Sequence, residues 1–210
     1  MTRLDAQALA DAVAGTLGNY NERAEQFRTA TWDHDVSQNI GALLAAIRVE
    51  PPFVVLDFGC GPGRDLIEFT RRGHRAIGLD GSIELARMAR EVSGCEVLCQ
   101  DFLHLDLADI TFDGIFANAT LQHIPTQELP RVLRELSAAL KTGGVLFASI
   151  PHGDGREGWN NSRYSAYHAP AAWDAFCRSA GLEKLNAYFR PEGAPRDQQP
   201  WYASVWRRAA

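Results

Sequence analysis

The sequence lacks the marks of a secreted, membrane-bound or nucleic-acid-binding chain. Its four cysteines, Cys60, Cys95, Cys99 and Cys177, contain no C-x2-C pair. That excludes a zinc ribbon and a disulfide framework and predicts reduced, buried thiols. Residues 1–20 hold no continuous apolar run and carry Asp5 and Asp11, so neither a signal peptide nor a membrane span is expected, and the expected compartment is the cytoplasm. Positive charge is scarce as well. A formal net charge of −5 argues against a nucleic-acid partner, which demands concentrated Lys and Arg; Arg207 and Arg208 read as a solvated tail. There is no internal repeat, no low-complexity tract and no sign of a second domain.

What is present fits one α/β domain. The 210 residues, 46% hydrophobic and 22% charged, suffice for a substantial core. Residues 4–17 carry a weak helical stripe. Val36, Ile40, Leu43, Leu44 and Ile47 recur at helical spacing behind Asp35, a predicted N-cap with Gln38 three residues on. Pro51-Pro52 ends that helix. Residues 1–50 are thus expected to form a helical cap and 51–210 a Rossmann-like core. In the core, strands are predicted at 53–58, 75–80, 95–100, 112–118 and 145–150. Helices are expected from Arg64, over 82–91, through the Leu129-Val132-Leu133-Leu136-Leu140 stripe and over 170–180. Residues 151–167 read as a long functional loop, and 182–189 with 201–206 as an antiparallel strand pair at the sheet edge.

The first strand runs into Asp57-Phe58-Gly59-Cys60-Gly61-Pro62-Gly63-Arg64. Glycines at such a turn let a ligand approach the backbone. A dinucleotide fingerprint would need its third glycine at Arg64, which disfavours a nicotinamide-dependent oxidoreductase. An acid two residues before the first glycine suits instead the cationic ammonium of S-adenosylmethionine (SAM). Asp80, ending the second strand ahead of Gly81, can accept both ribose hydroxyls. Gln100, Asp101 and Phe102 offer polar groups and an aromatic face to adenine. Together these segments resemble the motifs of class I SAM-dependent methyltransferases. The resemblance implies a seven-stranded, mostly parallel sheet with an antiparallel final strand, helices on both faces, SAM as cofactor and S-adenosylhomocysteine (SAH) as product. A SAM-binding protein without catalysis is the alternative from another class.

Substrate residues are expected beyond the same strand ends. Asn118 and His123 follow the fourth strand, His123 with a helix-bracing role as its blander reading. Tyr20, Trp32, His34 and Asp35 belong to a predicted lid. Asn161, Arg163, Tyr164, Tyr167 and His168 lie in the 151–168 segment, where Arg163 is a candidate for a substrate carboxylate; Arg190 is another. Tyr20, Phe27 or Trp159 can offer an aromatic face to a sulfonium, and His34, Asp35 or His123 a base. No metal is required.

Residues 33–39 (Asp-His-Asp-Val-Ser-Gln-Asn), 153–168 and 190–206, the last holding Gln-Gln-Pro-Trp-Tyr-Ala-Ser-Val-Trp, resemble more narrowly the methyltransferase domain of ovothiol biosynthesis, as does most of the chain after Tyr20. That resemblance implies methylation of the imidazole π-nitrogen of 5-thiohistidine to ovothiol A. It places Asn39 among the substrate residues and a separate sulfoxide synthase upstream of a stand-alone enzyme. The sequence departs from that pattern at Gln122, Ile150 and His152.

Overall fold

A computed structural model describes residues 3–107 and 110–209 of the chain. Five parallel strands form its centre: β1 (Val54–Phe58), β2 (Arg75–Asp80), β3 (Glu96–Cys99), β4 (Phe112–Asn118) and β5 (Leu140–Pro151). They alternate with α4 (Arg64–Arg71), α5 (Ile83–Ser93) and α6 (Leu129–Ala139). Successive strand residues point to opposite faces. Leu56, Ile115 and Leu146 therefore pack with Leu133 and Leu136 of α6 on one face, while Val55, Phe116 and Phe147 meet Leu66 and Phe69 of α4 on the other. Burial on both sides is what a central parallel sheet requires. At the entry to β1, the Val54 amide donates to the buried Asp113 carboxylate at 2.8 Å, and Lys141 neutralises that acid from 2.8 Å.

The sheet is completed by β8 (Leu182–Arg190) and β9 (Trp201–Arg208) in the order β3-β2-β1-β4-β5-β9-β8. The final strand is antiparallel, and the two pair at the sheet edge beyond β5, both as expected. Strand β9 inserts between β5 and β8 and pairs with both. Composition explains the choice. Tyr202 to Trp206 are all buried, so β9 needs covered neighbours on each side, whereas β8 exposes Glu183, Leu185 and Asn186 and tolerates the edge. Helix α7 (Pro170–Ser179) covers this part through Trp173, whose indole N–H donates to Ser204 Oγ at 3.0 Å.

The N-terminal residues divide in two. α3 (Ser37–Ala46) packs Ile40 and Leu43 directly against the sheet, with Phe116, Phe147 and Val205. The Asp35 carboxylate accepts the Ser37 amide at 2.9 Å from two residues ahead of the helix, and Val36 occupies the cap position. Only α1 (Ala6–Glu22) and a second helix not visible in the sequence pattern, α2 (Ala24–Thr31), lie over the strand ends. The 151–167 segment is not an open loop. β6 (Glu157–Asn160) and β7 (Arg163–Ala166) form a hairpin whose turn uses Asn161 at φ 54°, a conformation asparagine tolerates better than most residues. Cys60 and Cys177 are buried, but Cys95 is half-buried and Cys99 exposed, because β3 is an edge strand. Among the described residues no helix is long and apolar enough to cross a membrane.

Candidate active site

The carboxyl ends of β1, β2 and β4 open into a cleft of about 1100 Å³, counted to its mouth and roofed by α1 and α2. On its floor the Gly59 and Cys60 amides donate to Leu79 O at 2.7 and 3.0 Å, tying the glycine turn to β2. Gly63 adopts φ +91°, and a Cβ there would lie 2.8 Å from the Ala89 backbone, so this glycine sets the approach of α4 to α5. Gly59 and Gly61 line the cleft itself. Gly81 lies just beyond β2, where an added Cβ would strike Leu17 of α1 at 2.7 Å.

Three acids gather beneath this turn. Asp80 is buried; one oxygen accepts the Gly61 amide at 2.9 Å and the other the Ser82 amide at 2.8 Å. Burial nevertheless raises its pKa to about 6. Asp57 is 2% exposed and lies behind the lining rather than in it, and its Oδ2 has no hydrogen-bond partner among the described residues. Burial, then repulsion from Asp65, pushes its pKa well above the usual carboxylate range, with Arg64 opposing. Asp65 is held by Arg64 through two bonds of 2.7 and 3.0 Å, and the same guanidinium donates to Thr31 O at 2.6 Å, fastening the end of α2. At the far end of the floor, Asp101 and Phe102 line the cleft, Phe102 packed on Phe58 at 4.5 Å. Gln100 does not. Its amide bonds the Asp106 backbone in both directions and closes the 100–106 loop instead.

The other wall is built from distant parts of the chain. Asn118 lines the cleft, and its Oδ1 accepts from Asn39 Nδ2 at 2.9 Å; Asn39 Oδ1 accepts from Tyr188 at 2.9 Å. Tyr188, buried up to a pKa of about 12, was not singled out from sequence, where only strand alternation marks it. Tyr20 and His123 meet at 2.9 Å between Oη and Nε2, and Arg163 donates to the same phenol at 3.0 Å. His34 lines the mouth and is solvent-exposed. Phe27 joins Tyr20 edge-on at 5.2 Å.

Several predicted substrate residues sit elsewhere. Asp35 lies outside the main cleft, with its pKa lowered by the Ser37 hydrogen bonds. Arg190 donates to the Asp35 carbonyl at 3.1 Å. Asn161 occupies the hairpin turn, and the Tyr167 hydroxyl accepts from Asn160 at 2.7 Å. Tyr164 turns its hydroxyl to Glu157 at 2.7 Å, while its amide donates to Thr16 Oγ1 at 2.9 Å and anchors the hairpin to α1. His168 is buried edge-on to Phe176 at 5.3 Å. Trp159 lies across Gly15 on the outer side of α1 and is not a cleft residue.

A family model described as a methyltransferase domain matches residues 55–144, the segment that carries the glycine turn and the first four strands. The fold is that of the class I methyltransferases. Over its full length the chain superposes on the Burkholderia thailandensis 1,6-didemethyltoxoflavin-N1-methyltransferase with a TM-score of 0.79 at 21% identity, covering 93% of that chain, a structure holding 1,6-didemethyltoxoflavin and SAH. It also superposes, with a TM-score of 0.73 at 16% identity over 92% of this chain and 94% of the other, on the [4+2]-cyclase SpnF. In sequence it is 31% identical over 157 residues, 70% of this chain, to a demethylmenaquinone methyltransferase from Thermobifida fusca. The chain spans 63% of that relative's length, and less than two thirds of the other curated methyltransferases it resembles. At these identities the structural neighbours share this methyltransferase fold, and a fold hosts more than one chemistry.

Proposed function

We propose that the chain is a SAM-dependent methyltransferase acting on a ring nitrogen of a small heteroaromatic molecule. One observation carries this reading: the glycine turn, Asp80 and Phe102 share a single cavity with Tyr20, Asn118 and His123. A donor bound on the first set would face a nucleophile held by the second. SAM suits the first set on chemical grounds. Just beneath the lining, a buried carboxylate oxygen on Asp57 has no donor among the described residues. Asp80 retains acceptor capacity after its two amide bonds, and Arg64, the only cation among the described lining residues, is already committed to Asp65. Such a floor favours a cationic nucleoside over a pyrophosphate. When bound, SAM supplies an electrophilic methyl group on a sulfonium.

The protein's task is then to align the acceptor nitrogen and keep water out. Alignment of two reactants is worth up to ~7–11 kcal/mol. The Tyr20 and Phe27 rings offer negative faces to a cation. Asn118, braced by Asn39 and Tyr188, presents a fixed amide at the tip of β4.

Within this reading, 5-thiohistidine converted to ovothiol A is the specific substrate suggested by the likeness of residues 33–39 and 190–206. Its carboxylate would have to draw Arg163 from Tyr20 or Arg190 from the Asp35 carbonyl, since both guanidiniums are engaged. A SAM-binding protein that transfers no methyl is the second reading, favoured by the shared fold with a protein named a cyclase.

Calorimetry with SAM, SAH and NAD tests the cofactor; heat with NAD alone would refute it. Asp80→Ala should weaken SAM binding about 100-fold, the loss of roughly two charge-assisted hydrogen bonds. Unchanged affinity excludes the ribose role. Mass spectrometry after incubation with SAM and 5-thiohistidine, histidine or 1,6-didemethyltoxoflavin then separates enzyme from binding protein.

A further inference from the structure

Hydrogen-bond directions around His123 are fixed by chemistry. Its Nδ1 lies 2.9 Å from the Tyr164 carbonyl oxygen, which can only accept. Nδ1 therefore carries the proton, and Nε2 presents its lone pair. The Tyr20 hydroxyl at 2.9 Å donates to that lone pair, with the Gln122 amide at 3.3 Å as a second donor. Arg163 can only donate, so its 3.0 Å contact with Tyr20 Oη uses the phenol as acceptor. Its guanidinium also stands over the Tyr20 ring, 5.2 Å from the centroid. A one-way chain results, from Arg163 to Tyr20 to His123 to the Tyr164 carbonyl, with Tyr20 and His123 both on the cleft wall.

We infer that Tyr20 and His123 form a proton-accepting relay, held by Arg163, that takes the proton of a substrate ring N–H as that nitrogen is methylated. The inference rests on the methyltransferase reading and narrows its substrate to weakly basic N–H heteroaromatics. The nitrogen lone pair forms the new N–C bond, and the C–S bonding pair stays with sulfur. The N–H pair stays on the ring nitrogen as its proton moves to Tyr20 Oη. The proton formerly on Oη moves to His123 Nε2. One positive charge enters the site on the sulfonium and one remains, on the imidazolium, whose two N–H groups face Tyr20 and the Tyr164 carbonyl. Release of one proton to solvent resets the pair.

Two features support the relay's direction. Tyr20 is not a standing phenolate, because burial, with a smaller push from Asp80, outweighs Arg163 and raises its pKa. It passes a proton and does not store one. Burial, then the charge of Arg163, lowers the His123 pKa to about 4 against the lift from the Tyr164 carbonyl. The groups facing the imidazole are Tyr20 from α1, Gln122 beside it, and Arg163, Tyr164 and Ser165 from β7. Among the described residues no carboxylate bonds it. Such an acceptor matches an electron-poor ring nitrogen, so the relay counts against 5-thiohistidine, whose parent imidazole titrates at about 6.5, and favours other heteroaromatic rings. Arg163, assigned from sequence to a substrate carboxylate, acts here through Tyr20 as a positioning residue.

The test begins with 15N NMR of the histidine-labelled full chain, His123→Asn identifying the resonance. The Nδ1–H tautomer is expected, with a midpoint near pH 4 that moves upward in Arg163→Met. An Nε2–H tautomer, or a midpoint indifferent to Arg163, overturns the relay whatever the cofactor. Methylation of 1,6-didemethyltoxoflavin should show an acid limb in kcat that follows the NMR midpoint in both proteins. Tyr20→Phe should lower kcat about 100-fold or more while SAH affinity stays within about threefold; a fall in SAH affinity with kcat preserved makes Tyr20 a cofactor contact and ends the proposal. Absence of any SAM or SAH heat in the wild type defeats the methyltransferase reading separately, and the tautomer result still decides the relay.

Discussion

The two walls of the cleft are built in different ways. The wall formed by the glycine turn joins near neighbours in sequence: Gly61 and Asp80 are 19 residues apart, and Asp80 reaches Ser82 only two further on. The opposite wall joins Asn39 to Asn118 across 79 residues, Tyr20 to His123 across 103 and Arg163 to Tyr20 across 143. The first wall follows from one strand–turn–helix unit and its neighbour. The second exists only once α1, α3, the hairpin and β8 have docked. Charge differs as well, because the first wall buries three acids with one paired cation while the second is a network of amides, phenols and an imidazole joined by the Arg163 guanidinium. On the proposed reading, a common donor would be recognised by the wall that forms locally, and a particular acceptor by the wall that needs the whole fold.

Breaking the local wall should cost the most. Gly63→Ala combines a left-handed backbone with a Cβ 2.8 Å from the Ala89 backbone. A loss of about 3 kcal/mol is expected from strain and overpacking together, seen as a fall of roughly 6–12 °C in Tm, with SAH binding lost in parallel. A stable Gly63→Ala protein that still binds SAH contradicts this account of the turn. The distant wall should yield more gently. Asn39→Ala leaves Asn118 and Tyr188 without their partner and should cost about 1–3 kcal/mol in urea unfolding. Its SAH affinity should remain near normal while turnover falls; the reverse pattern would show that the walls are not separable.

The smallest effect sharpens the electrostatic half of the comparison. Asp57 and Asp80 have folded pKa values above their unfolded 3.8, Asp80 at about 6. The folded protein therefore holds extra protons between those values. Their stabilising contribution is fully present below the unfolded pKa and is lost as pH rises through the folded one. Asp57→Asn should accordingly raise Tm by a few degrees, about 2–4 °C per kcal/mol relieved, at pH 7.5, with the gain shrinking toward pH 4 and SAM affinity reduced. A Tm gain independent of pH would mean that charge burial is not its cause.

The sequence marked the strand–glycine–acid order because each part has a local cause: a doubly buried strand is apolar, a turn with left-handed backbone is glycine, and acids stand at the carboxyl ends of the first two strands. Asp57, Asp80 and Phe102 were therefore legible, and Gln100 misled because an amide at a strand end serves loop closure as well as ligand binding. The hairpin escaped notice because residues 157–166 alternate only weakly and turn on Asn161-Ser162 without a glycine. Helix α2 has a single large apolar anchor, Phe27, too little for a stripe. Arg163 and Tyr164 were noticed as residue types, but their partners, Tyr20 and Thr16, lie more than 140 positions away. Nothing local records a partner at that distance. The placement of β9 inside β8 was hidden for a related reason, since pairing order is decided by which strand can bear an exposed edge.

That strand order has a consequence for how the molecule is made. β8 touches the remainder of the sheet only through β9, so a growing chain on the ribosome carries β8 as an unzipped edge until residue 208 has been synthesised. The buried Trp206 and Tyr202 lie on the strand that joins β8 to the rest of the sheet. A chain shortened before these two aromatic residues would leave the β5 flank open and adhesive to its neighbours.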